Sequence, residues 1–214
     1  YFDLTNPRDL DPFLNGADVK FMTEEEQLDL LNKVWQNYTT TFTYEPGSVM
    51  KPLTVACGLD TGTLTGDGHE FISDFEIHCV SRYGHGEEDI AGALSDSCND
   101  ALMQMSYAIG ADNFADYEDL FGIGYKTNID LPGEARTDTL IYHRDDLSTL
   151  NLAVNSFGQS FNVTMIQMGA AYCSLVNGGT FYQPHVVKKI TDSNGATVRE
   201  IDPTIIKKTI SKTK

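Results

Sequence analysis

The chain has 214 residues, 41% of them hydrophobic and 21% charged, and a formal charge of −16. That length and apolar content suit a globular unit with a real core rather than a disordered chain. The acidic excess argues against nucleic-acid phosphates and anionic lipid surfaces as partners. No apolar run approaches the roughly 20 residues that a membrane-spanning helix needs.

In chain order, Thr23 followed by Glu26 forms a capping box ahead of Leu28, Leu31 and Trp35 at helical spacing. Glu24, Glu25 and Glu26, like Glu87, Glu88 and Asp89 further on, read as solvated helix starts. Residues 39–43 are polar and β-branched, a lead into Pro46, Gly47, Ser48, Val49, Met50 and Lys51. The apolar positions Leu53, Val55, Ala56 and Leu59 then describe a buried helix. Residues three apart share a helix face, so Ser48 and Lys51 are expected to bring hydroxyl and amine within hydrogen-bond reach. A serine hydroxyl needs an adjacent base to act as a nucleophile. A lysine can be that base when burial or positive charge lowers its pKa. The N–H groups of the helix start favour an anion forming beside Ser48. By itself the four-residue pattern also fits an ordinary helix start with a surface lysine. Pro52 is expected to leave the Ser48 carbonyl without its intrahelical partner.

Residues 66–82 alternate apolar positions at Phe75, Ile77 and Cys79, the pattern of an extended stretch or short hairpin, with a turn at residues 82–86. Helices are predicted near 88–96, 100–109, 112–121, 145–154 and 164–177. A Gly- and Pro-punctuated loop lies at 122–139, and a hairpin over 185–201 turns through Asp192, Ser193, Asn194 and Gly195. No repeat or linker divides the chain, so residues 1–214 read as one unit.

Between the first two of these helices lies Ser97-Cys98-Asn99. Serine, aspartate and asparagine are all helix-cap formers, so a cap alone would account for it. Together with Ser48-x-x-Lys51, however, it makes the chain resemble the transpeptidase domain of penicillin-binding proteins, especially the high-molecular-weight class B type. The likeness continues through residues 120–134, 155–172 and 176–190, and covers the chain from about Tyr1 onward. The family's third motif, Lys-Thr-Gly, is absent: Lys208-Thr209 is followed by Ile210 and Lys212-Thr213 by Lys214. The resemblance therefore implies a mainly α chain with minor β, the helical lobe of the β-lactamase/transpeptidase-like α/β fold with its central sheet incomplete. Residues 1–214 are read as a partial transpeptidase domain that begins after the family's first two strands.

The resemblance implies Ser48 as the acyl-accepting nucleophile and Lys51 as its base. Ser97 would relay a proton between Lys51 and the leaving amine, and Asn99 would hydrogen-bond the substrate amide. The implied function is peptidoglycan D,D-transpeptidation on D-Ala-D-Ala stem peptides, with β-lactams acylating the same serine and no cofactor. Alternatives are a D,D-carboxypeptidase or serine β-lactamase, and, in another class, a non-catalytic scaffold that has lost its third motif. Implied partners are a membrane glycosyltransferase and divisome or sporulation proteins. The implied location is the extracytoplasmic face of a bacterial membrane, with an N-terminal anchor in the parent protein.

Cys57 and Cys173 sit in apolar helical stretches and are expected to be small buried hydrophobes. The cysteines lack Cys-x-x-Cys spacing, which disfavours zinc. His69, His78, His85, His143 and His185 lack His-x-x-x-His spacing and read as surface or structural residues. Glu134, in its Leu-Pro-Gly context, is read as structural. In a disulfide-permitting compartment, Cys79 and Cys98 form a candidate redox pair whose bridge would pull Ser97 and Asn99 out of register. The alternative is two reduced thiols.

Overall fold

The computed structural model describes residue 14 and residues 18–66, 71–72, 79 and 84–211. The opening segment, His69, Phe75, Ile77, His78 and the final Lys212-Thr213-Lys214 lie outside the described residues.

Helix α1 (Glu24–Trp35) begins as expected. The Thr23 hydroxyl accepts the Glu26 N–H at 3.3 Å, and the Glu26 carboxylate accepts the Thr23 N–H at 2.7 Å. The buried face differs from the one expected. Leu30 and Val34 pack with Leu14 in a small separate cluster, while Leu28 and Trp35 are exposed. Residues 39–43 also differ from the polar lead expected. They form a short helix α2 (Tyr38–Thr41), capped by the Asn37 side chain, and then strand β1 (Thr43–Tyr44).

A 3-10 turn, Gly47–Met50, runs straight into helix α3 (Lys51–Thr61). Pro52 has no N–H to give, but the Ser48 carbonyl is not left alone. It accepts the Lys51 N–H in a 3-10 bond, which is why the chain enters the helix through a tighter turn. Strand β2 (Phe71–Ile72) pairs antiparallel with β3 (Glu87–Glu88). Helices α4 (Ile90–Ser95), α5 (Asn99–Ile109) and α6 (Ala111–Phe121) follow close to their expected limits. After the loop and a 3-10 turn, Arg144–Asp146, comes α7 (Thr149–Ser156). Strand β4 (Val163–Thr164) pairs with β1 and feeds α8 (Met165–Val176) through a second capping box, Thr164 with Gln167. Strand β5 (Thr180–Tyr182) pairs with β8 (Ile205–Lys208), and the expected hairpin forms from β6 (Lys189–Thr191) and β7 (Thr197–Glu200).

Helix α5 packs against both α3 and α7, and one apolar cluster fills the space between them. Leu53, Leu102, Met103, Met105, Phe114, Phe121, Ile123 and Phe161 are almost completely buried in it. Burying a side chain of this kind contributes about 1.5–3 kcal/mol, so this helical core rather than the two-stranded sheets holds the site in place. Cys57 lies in the core as expected, but Cys173 is exposed, because it falls on the outward face of α8. Glu134 is structural as expected: its carboxylate accepts N–H and O–H bonds from Thr127 and an N–H bond from Asn128.

Glu118 on α6 is also buried, with Oε1 lacking a hydrogen-bond partner among the described residues. Burial, helped by nearby Asp119, pushes its carboxyl up to about 8 from an ordinary value of 4.5. The folded state therefore holds a proton that the unfolded chain releases, and stability falls as pH rises between those values. Glu118→Gln is expected to raise the melting temperature at pH 8, by roughly 2–4 °C for each kcal/mol recovered. It should change little at pH 4. Calorimetry at both pH values checks this, and an equal shift at both would contradict it.

Candidate active site

Ser48 stands in the 3-10 turn with its side chain exposed, and Lys51 opens α3 with only 2% of its surface exposed. Ser97 caps the other side. It sits in the turn between α4 and α5 with φ 54, a left-handed conformation that costs a non-glycine residue about 1–2 kcal/mol. The turn is held by local bonds. The Cys98 N–H donates to the Ala93 carbonyl at 2.9 Å, and the Cys98 sulfur accepts the Ala101 N–H at 3.5 Å as the cap of α5.

These elements bring three of the four expected residues into one hydrogen-bonded line. Lys51 Nζ donates to the Ser97 carbonyl at 2.5 Å and to Ser97 Oγ at 2.9 Å. Ser97 Oγ donates to Ser48 Oγ at 2.9 Å. Lys51 thus reaches Ser48 through Ser97 rather than by the direct bond that spacing suggested. Asn99, the first residue of α5, joins Ser48 and Ser97 in the wall of a cleft of about 520 Å³. Gly47, Cys79, His85, Asp96, Phe157 and Gln159 complete that wall.

Burial is the main reason the Lys51 ammonium loses its proton more readily than an ordinary lysine, with Cys79, Cys98 and Glu88 opposing the shift. Its hydrogen-bond partners are neutral oxygens, which compensate a buried charge poorly. With the amine neutral, both hydroxyl protons can turn to the reverse order, Ser48 donating to Ser97 and Ser97 to the amine, and the Ser48 proton then passes along that line to Lys51.

The Ser48 turn is fastened from the far side by the end of α7, a feature not read from sequence. The Gly47 N–H donates to the Gly158 carbonyl at 2.7 Å, and Thr54 Oγ1 donates to the Ser156 carbonyl at 2.8 Å. The Ser160 N–H donates to the Glu45 carboxylate at 3.0 Å. Gly158 lies so close that a Cβ there would sit 2.0 Å from the Gly47 carbonyl oxygen. The glycines at 47 and 158 were the available signals in the sequence, but their approach depends on tertiary packing. Tyr172 on α8 adds a bond from its hydroxyl to the Val49 carbonyl at 2.5 Å.

Cys79, Cys98 and His85 meet at the back of the cleft, their ligand atoms all within 4.8 Å of one another. All four cysteines are thiols here. Burial pushes the Cys98 thiol up to about 12. Among the described residues, no helix is long and apolar enough to cross a membrane.

The fold and this cleft define a class of protein built around an exposed serine, a second serine and a buried lysine in the Ser-x-x-Lys spacing. Residues 15–214 match the family model for the penicillin binding protein transpeptidase domain, and the chain belongs to that family. Stage V sporulation protein D of Bacillus subtilis is 32% identical over 177 residues, covering 79% of this chain and 27% of that protein. Peptidoglycan D,D-transpeptidase FtsI of Escherichia coli K12 is 29% identical over 160 residues, covering 72% of this chain and 26% of that protein. The chain thus spans about a quarter of the length of these curated relatives. Among solved structures, penicillin-binding protein 2X of Streptococcus thermophilus superposes with a TM-score of 0.73 at 26% identity, over 83% of this chain and 27% of that one. Penicillin-binding protein 3 of Mycobacterium tuberculosis, in complex with aztreonam, gives the same TM-score at 24% identity, over 82% of this chain and 40% of that one. The likeness bears out the β-lactamase-like, mainly helical fold expected from the sequence.

Proposed function

We propose that the protein is a peptidoglycan D,D-transpeptidase working through an acyl-Ser48 intermediate. The observation that carries this reading is the line from Lys51 Nζ through Ser97 Oγ to Ser48 Oγ. Ser48 Oγ attacks the carbonyl of the penultimate D-alanine, and its proton passes by way of Ser97 to Lys51. That proton returns to the amine of the terminal D-alanine as the amide C–N bond breaks. Asn99 hydrogen-bonds the amide of the stem peptide. An amine of a neighbouring stem then attacks the ester, forming the cross-link and restoring Ser48. A β-lactam follows the first half: its ring opens on Ser48 and the leaving nitrogen stays tethered.

Relatives named as peptidoglycan D,D-transpeptidases and structural neighbours solved with aztreonam and ampicillin support this reading. The family resemblance implies a Lys-Thr-Gly strand as the third wall of such a cleft and as a second oxyanion donor, a group typically worth ~10²–10³ in rate; residues 1–214 do not contain that motif. The reading places the domain at the outer face of a bacterial membrane. A peptidoglycan glycosyltransferase would work beside it, within division or sporulation machinery.

The test is a cross-linking assay on the full-length protein, using a pentapeptide stem and an amine acceptor. The unmodified protein should release D-alanine and join the two, and Ser48→Ala should do neither. Release that survives Ser48→Ala would overturn the assignment. Release without joining, or steady turnover of a chromogenic β-lactam, would favour the hydrolytic reading.

A further inference from the structure

Cys79 Sγ lies 3.6 Å from His85 Nδ1, and Cys98 Sγ completes a group spanning no more than 4.8 Å. Tetrahedral zinc, with Zn–S about 2.3 Å and Zn–N about 2.0 Å, sets an S···N edge of about 3.5 Å and an S···S edge of about 3.8 Å. The Cys79–His85 separation already fits. The remaining pairs need to close by at most about 1 Å, within the reach of a χ1 adjustment.

A second observation points to the same place. Glu88, only 8% exposed and close to the Cys98 thiol, leaves Oε1 buried with no hydrogen-bond partner among the described residues. A buried carboxylate oxygen without a partner is costly, and native structures rarely leave one so.

We propose that Cys79, His85 and Cys98 bind one zinc-type divalent cation, and that this cation clamps the turn carrying Ser97 and Asn99. Binding replaces two S–H bonds by two metal–thiolate bonds and releases two protons to solvent. Two thiolates and one imidazole leave the fourth tetrahedral position to a water from the cleft. Imidazole and thiolate donors in a tetrahedral set suit zinc over magnesium or calcium. Local spacing could not reveal the site, because the ligands come from residue 79, the approach to β3 and the cap of α5. The clamp follows from chain order. Cys98 lies between Ser97 and Asn99, and the cation ties it to the segment leading into β3, holding the positive-φ turn against relaxation.

The same two sulfurs are the candidate redox pair, so metal and disulfide exclude each other. The metal site does not depend on the acyl-transfer reading, and its test needs no activity assay.

The intact protein, purified with reductant and stripped of metal, is titrated with cobalt(II). One equivalent should produce an intense near-ultraviolet thiolate-to-cobalt band and the visible bands of tetrahedral cobalt, both abolished by one equivalent of zinc. No binding, or a weak octahedral spectrum without sulfur charge transfer, overturns the proposal without reliance on any variant. Cys98→Ser should lose the intensity of the charge-transfer band, and an unchanged band would overturn the ligand set. His85→Ala should weaken zinc affinity by at least about 10–100-fold, and equal affinity would overturn the ligand set. With diamide as oxidant, zinc should block a Cys79–Cys98 bridge that forms in the metal-free protein. A bridge that forms equally fast with zinc present would contradict the shared sulfurs.

Discussion

Lys51→Met is expected to slow acylation by a fluorescent penicillin about 10²–10⁴-fold, the range lost with a positioned general base. The amine is the basic end of the line through Ser97 to Ser48, and a thioether can take no proton there. The fold should survive. Lys51 is buried against neutral oxygens, so methionine fills a similar volume and removes a poorly compensated charge. The Ser97 oxygens it leaves can turn to water in the cleft. In the unmodified protein the amine loses its proton below the ordinary lysine value of 10.5, so acylation should rise with pH as the neutral form accumulates. Lys51→Met should flatten that rise. Stopped-flow labelling across pH, with melting followed by circular dichroism, checks both points. A folded Lys51→Met protein acylating at the unmodified rate would mean that Ser48 is activated by another group.

Gly158→Ala is expected to cost about 10²-fold in acylation through misplacement of Ser48, with a clear drop in melting temperature. The new methyl would sit 2.0 Å from the Gly47 carbonyl oxygen and 2.6 Å from the Gly47 nitrogen. Both are backbone atoms, so no rotamer change relieves the clash. The residue's φ of 84 adds left-handed strain. What must give is the Gly47–Gly158 hydrogen bond and, with it, the turn that aims Ser48. Gly195→Ala is the control. Its φ is 83, but nothing lies within 4 Å of the added methyl, in a hairpin turn remote from the cleft. It should lose roughly 1–2 kcal/mol from strain alone and acylate normally. Normal acylation by Gly158→Ala would show that the α7 turn does not position the nucleophile.

The two motifs were legible because each is local. The spacing of Ser48 and Lys51 fits one helix start, and Ser97-Cys98-Asn99 fits a turn between helices. The structure places Ser48, Lys51 and Ser97 in one hydrogen-bonded line and Asn99 in the same cleft. Helix limits were legible where caps are strong, as at Thr23, Asp89 and Thr164. What local pattern could not carry was tertiary. The order Lys51–Ser97–Ser48 depends on how the α4–α5 turn lies over α3. The buried face of α1 depends on its small cluster with Leu14, which shifts burial from Leu28 and Trp35 to Leu30 and Val34. Cys173 sits in an apolar stretch but on the outer face of α8, so composition misplaced it. Cys79, His85 and Cys98 lack any metal-binding spacing and meet only once the β2–β3 pair and the cap of α5 are folded.

The most direct measurement of the acyl-serine account is peptide mapping by mass spectrometry after exposure to a β-lactam. The account expects a single stoichiometric adduct on Ser48, absent from Ser48→Ala. An adduct on any other residue, or undiminished labelling of a folded Ser48→Ala protein, would contradict it.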